Sequence, residues 1–127
     1  MPDTHPSLDA AVHPRLRVLR GEDIALGPGK VALLEAIAAR GTLARAAQDI
    51  GMSYMRAWKL VQTMNRCFRQ PLVETARGGS AKGRATLTAE GEAVVALYRR
   101  MEAESLAALR DTWGELARRL APPSSSI

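Results

Sequence analysis

Between Thr42 and Ser53 the chain has room for one short helix and one tight turn, and for little else. Thr42 is a good N-cap for a helix over 43–50, because its side-chain oxygen can accept from an orphan N–H of the first turn. Ala46 and Ala47 are small and Ile50 is apolar; Gly51 supplies the turn, Met52 plugs it, and Ser53 caps the next helix. Two helices crossing steeply over so short a connection can close only if their contact residues are small, a condition the alanines meet. Short helix, glycine turn and Ser-capped second helix together make the helix-turn-helix pattern.

The helix that Ser53 opens separates its side chains cleanly when stepped at about 100° per residue. Ala57, Val61, Met64 and Phe68 share one face, and Met55, Lys59, Gln62 and Arg66 lie opposite, with Thr63 and Arg56 widening that polar side. Tyr54, Trp58 and Asn65 form one flank. Trp58 there either packs on a neighbouring element or lies against a sugar-phosphate backbone. Cys67 reads as a half-buried structural thiol. An exposed stripe of Lys, Arg, Gln and Met starting just after a Ser N-cap suits a major groove: the helix start meets a phosphate while the long side chains reach base edges.

Elements on either side complete the unit. Arg15-Leu-Arg-Val-Leu-Arg20 alternates as a half-buried strand, with Gly21-Glu-Asp as a turn and Ile24 and Leu26 continuing it. Gly27-Pro-Gly-Lys30 starts a first helix, 29–40, with Val31, Leu34, Ile37 and Ala38 as its apolar face and Gly41 at its C-terminal cap. The spacing of a phosphate loop is missing there. Pro71 ends the third helix. Leu72–Ala76 and Arg84–Leu87 read as strands around a loop in which glycines alternate with Arg77, Lys82 and Arg84, a cationic wing suited to phosphates or a minor groove. Thr88 caps a last helix that runs to about Leu120. Its first stripe docks on the domain; its second, Leu106, Leu109, Trp113, Leu116 and Leu120, finds nothing in the chain to cover it and calls for a partner helix.

Charge agrees with this layout. The net charge is +5, and residues 53–84 hold seven basic side chains against the single acid Glu74. Such a concentrated surplus marks a polyanion binder or a solvated face. The inventory excludes most catalysis. Both histidines, His5 and His13, fall in a proline-punctuated leader, and the lone cysteine rules out an intramolecular disulfide. No apolar run reaches the roughly 18 residues of a membrane span. The expectation is a cytoplasmic protein that is not an enzyme and takes no cofactor or metal.

Met52-Ser-Tyr-Met-Arg-Ala-Trp-Lys-Leu-Val-Gln-Thr-Met-Asn65, Pro71-Leu-Val, Gly78-Gly79, and Leu87-Thr-Ala-Glu-Gly91 with Tyr98 resemble the N-terminal winged-helix domain of the ModE family, bacterial molybdate-responsive transcriptional regulators. Leu-Thr-x-x-Gly is shared with the broader LysR-type regulators. The resemblance covers roughly 15–110. It implies DNA binding and dimerisation through the N-terminal strand, with Leu16 and Val18, and the last helix. It also implies that Ser53, Tyr54, Met55, Arg56 and Lys59 face DNA. Full-length members carry C-terminal oxyanion-binding domains, and the chain reads as a stand-alone domain ending before one would begin. The family's wing is usually richer in glycine. The resemblance does not extend to molybdate sensing: a small effector, molybdate or another oxyanion, is compatible with the family, and no residue set in the chain identifies its site.

The expected fold is mainly α (α+β), a winged helix-turn-helix with a long C-terminal dimerisation helix. A disordered leader takes 1–14, the DNA-binding domain 15–87, the dimerisation helix 88–120 and a disordered tail 121–127. The expected partners are a second copy and double-stranded DNA at a pseudo-palindromic operator. Thr42, Ser53, Tyr54, Met55, Arg56, Lys59, Gln62, Thr63, Arg66, Arg77, Lys82 and Arg84 form the contact set. The alternative is a protein-interaction module with only non-specific DNA binding.

Overall fold

The computed structural model describes residues 10–76 and 83–123. Two antiparallel strands, β1 (Val18–Arg20) and β2 (Asp23–Leu26), turn at Gly21, whose φ of 61° is the left-handed value that favours glycine. Helices α1 (Pro28–Arg40), α2 (Leu43–Asp49) and α3 (Tyr54–Cys67) follow, then the hairpin β3 (Val73–Thr75) and β4 (Ala85–Leu87), then α4 (Ala89–Ala117). The β3–β4 register pairs Val73 with Leu87 and Thr75 with Ala85. An isolated bridge between Thr42 and Arg84 ties the base of this hairpin to the start of α2. The architecture is a winged helix-turn-helix with a long last helix.

The core lies where α1, α2 and α3 meet. Val31, Leu33, Leu34 and Ile37 of α1, Leu43, Ala46 and Ala47 of α2, and Ala57, Val61 and Met64 of α3 are all buried. Leu72, Val94 and Tyr98 close it from the hairpin and α4. The small alanines of α2 are at the crossing, as the pattern requires. Met52 donates its backbone N–H to Ala47 O at 3.0 Å, which locks the turn after Gly51.

Several boundaries differ from the expectation. Ala38 is exposed and Leu33 is buried instead, because α1 is covered on more than one side and its inward face is rotated and wider. Helix α3 stops at Cys67, ahead of Pro71: Phe68 is already extended (φ −110°, ψ 157°) and packs partly against the core. The last helix ends at Ala117, so Leu120 lies past it. Arg119 N–H to Leu116 O and Leu120 N–H to Ala117 O close a tighter final turn before Pro122 and Pro123, which cannot extend a helix.

Part of the leader lies among the described residues, without regular secondary structure. Residues 1–9 lie outside the described residues, but 10–14 have a definite place. Exposure alternates from Ala10 to Leu19, with Ala10, Val12, Pro14, Leu16 and Val18 half-buried and the residues between them exposed. Ala10–Val12 share a groove with Ala103, Leu106 and Trp113 of α4, so part of the second stripe has neighbours within its own chain. Of the tail, 121–123 carry no regular structure and 124–127 lie outside the described residues.

Candidate nucleic-acid interface

Helix α3 is held on three sides and free on the fourth. Its buried face is Ala57, Val61 and Met64. On one flank, Asn65 Oδ1 accepts from Leu72 N–H at 2.8 Å and Val73 N–H at 3.2 Å, while its Nδ2 donates to Val73 O at 3.0 Å, docking the β3–β4 hairpin. On the other flank, Arg66 reaches Asp23 of β2 at 3.3 Å, and Cys67 Sγ lies 4.0 Å from the same carboxylate. The helix therefore lies between two hairpins, with Met55, Lys59 and Gln62 directed away from the protein and all exposed. Tyr54 and Arg56 are exposed beside them, and Thr63 is half-buried at the margin.

Both caps form as the residue types require. Ser53 Oγ accepts from Arg56 N–H at 3.1 Å, and Thr42 Oγ1 accepts from Arg45 N–H at 3.2 Å. Each hydroxyl keeps its own proton to donate, which leaves two O–H groups at helix starts available to a phosphate oxygen. Arg84 is exposed at the base of the hairpin, next to Thr42. Arg77 and Lys82 lie outside the described residues. Of the contact set, the structure thus brings Thr42, Ser53, Tyr54, Met55, Arg56, Lys59, Gln62, Thr63, Arg66 and Arg84 to α3, its cap and the adjoining hairpin base. Among the described residues of the set, Arg66 is engaged in an ion pair, with its side chain still 60% exposed.

Two further cations were not legible beforehand. Lys30, in the first turn of α1, is half-buried, and burial lowers the pKa of its ammonium, with Arg56 and Arg17 adding to the effect. Arg17 lies against the start of α1, with its Cγ 3.9 Å from where a Cβ on Gly27 would stand. A charge count along the sequence places these residues outside the basic block of 53–84. Only the fold brings them toward the Arg56 side of α3. Among the described residues no group of three or more His, Cys, Asp or Glu is placed to hold a metal ion, and no helix is long and apolar enough to cross a membrane.

The residues expected to make a dimer divide into two groups. Leu106, Leu109 and Leu116 are exposed on α4, with Trp113 half-buried, and Leu120 is exposed past the helix end. Leu16 and Val18 instead pack against this chain's own core, and Leu16 O accepts from Tyr98 Oη at 2.8 Å. Strand alternation makes Leu19, at 66% exposure, the outward apolar residue of that segment.

Comparison with known proteins agrees with the fold and the motifs. The chain is 47% identical over 77 residues to the molybdenum-pterin-binding protein MopA of Rhodobacter capsulatus, covering 61% of this chain and 29% of that one. It is 39% identical over 71 residues to the DNA-binding transcriptional dual regulator ModE of Escherichia coli (strain K12), covering 56% and 27% respectively. The chain thus spans under a third of the length of these relatives. A solved structure, the CbnR_DBD–DNA complex, shares the fold with a TM-score of 0.52 at 23% identity, over 72% of this chain and 97% of that chain. Residues 29–92, from the first turn of α1 to the first turn of α4, match the bacterial regulatory helix-turn-helix proteins of the lysR family, and the chain belongs to that family.

Proposed function

We infer that this chain is the DNA-binding domain of a transcriptional regulator, which binds a pseudo-palindromic operator in double-stranded DNA as a homodimer. The observation that carries the reading is the free face of α3, where Met55, Arg56, Lys59 and Gln62 are exposed between two capped helix starts and the hairpin base. Phosphate contacts from Arg84, the caps and the wing would set register, and the long side chains of α3 would read bases. The similarity to a relative named as a DNA-binding transcriptional regulator supports it.

The test separates base readout from polyanion binding. Arg56→Ala and Lys59→Ala should each lose about 1–3 kcal/mol on the best selected duplex and much less on a scrambled one at the same salt. Arg119→Ala, exposed beyond the end of α4, is the control and should change neither. Equal losses on both duplexes would mean that these side chains hold phosphates only. A second reading, a protein-interaction module, draws on the exposed Leu106, Leu109 and Leu116 of α4. It predicts no sequence-specific footprint at physiological salt.

A further inference from the structure

The free side of α3 carries exposed apolar side chains toward one edge and cations toward the other, with the exposed Gln62 among them. Toward the β3–β4 hairpin, on the Asn65 flank, lie Tyr54 and Trp58, exposed by 51% and 41%, and Met55, exposed by 56%, stands next to them on the outward face. Toward the β1–β2 hairpin, on the side of Cys67 and Asp23, lie Arg56, Lys59 and the half-buried Thr63. Met55 and Trp58 are three residues apart, so their side chains are neighbours on the helix surface. Apolar side chains of this size left exposed together mark a contact surface. Here they share a helix face with Arg56 and Lys59, so whatever covers them must also satisfy cations. A DNA major groove does both: phosphates and guanine O6/N7 meet the cations, and the thymine 5-methyl is the apolar group that base pairs present there.

We propose that α3 reads thymine through its 5-methyl group, with Met55 covering the methyl and Trp58 closing the strip beside it. The proposal rests on the DNA-binding reading above and deepens it. It makes the half-site chemically polar, with thymine methyls on the side nearer the wing and the cation contacts on the other. Met55 is unbranched and polarisable, so it can settle over a methyl group without demanding one geometry.

Deoxyuridine tests this directly, because it pairs as thymine does and lacks only the methyl. The preferred duplex is enriched from a random library with the full chain, and each thymine is replaced singly by deoxyuridine. Binding is then measured at one fixed salt. In each half-site at least one replacement should weaken the wild type about fourfold, the affinity carried by one buried methyl. Met55→Ala should bind the thymine and deoxyuridine duplexes equally, and Met55→Leu should keep most of the discrimination. Met55 is exposed, so unchanged thermal melting will show that both variants remain folded. If an enriched duplex binds yet no thymine responds, or if Met55→Ala keeps the full fourfold ratio, methyl readout is wrong and the DNA-binding reading stands. If no duplex is enriched over random sequence, both fall.

Discussion

Gly91 stands three residues into α4, where a Cβ would run into the carbonyl of Leu72. The same spot is bound from several directions: Thr88 Oγ1 donates to Pro71 O at 2.7 Å, Thr88 N–H donates to Leu72 O at 2.9 Å, and Gly91 N–H donates to Thr88 Oγ1 at 2.9 Å. With Asn65 holding the N–H of Leu72, the residues Asn65, Pro71-Leu72 and Leu87-Thr-x-x-Gly91 form one scaffold that sets α3, the hairpin and α4 in register. Much of the motif that carries the family resemblance therefore holds the elements of the fold together. Two glycines of the same helix should then respond with opposite sign. Gly91→Ala should destabilise by about 1–3 kcal/mol through overpacking against backbone that cannot yield. A Cβ on Gly114 would meet nothing within 4 Å, so Gly114→Ala should gain up to about 1 kcal/mol of helix propensity. Urea unfolding of the two variants beside the wild type measures both.

An ion pair on the surface joins the last helix to α1. Arg99 meets Glu35 with Nη2 at 2.6 Å and Nε at 2.9 Å, and its Nη1 meets Glu102 of the same helix at 2.7 Å. The hydrogen bond from Arg99, above all, holds the Glu35 carboxyl below the usual carboxylate range against the opposing effect of burial, and the pKa of Arg99 is raised in turn. A carboxylate with a depressed folded-state pKa contributes stability that is fully present above its unfolded value of about 4.3. That contribution is lost as the pH falls through the lower folded value. Both side chains are over two-fifths exposed, so Arg99→Ala should cost no more than about 1 kcal/mol at neutral pH. The gap between variant and wild type should then close below about pH 4. Chemical unfolding of both proteins between pH 3 and 7 measures it, and a gap that persists at low pH would mean that Arg99 acts through packing alone.

At the scale of the whole molecule, α4 leaves Leu109 and Leu116 exposed on a helix whose earlier turns are docked by Val94 and Tyr98. Replacing both leucines by Glu should turn the proposed homodimer into a monomer, because unpaired charge would be buried if these residues form its helix-helix seam. Sedimentation that still shows a dimer would assign the interface elsewhere, with Leu19 as the next apolar candidate. The sequence alone determined what depends on neighbours along the chain: the two caps, the alanine crossing, the glycine turns and the faces of α3. Those features follow from spacing and local hydrogen bonding, which sequence displays directly. Only the tertiary structure decided what depends on distant residues. It turned Leu16 and Val18 onto the core, laid residues 10–14 beside α4, rotated the buried face of α1 from Ala38 to Leu33, and drew Lys30 and Arg17 toward α3. Burial and electrostatic proximity depend on which surfaces meet in space, and no periodicity along a single element encodes its partner.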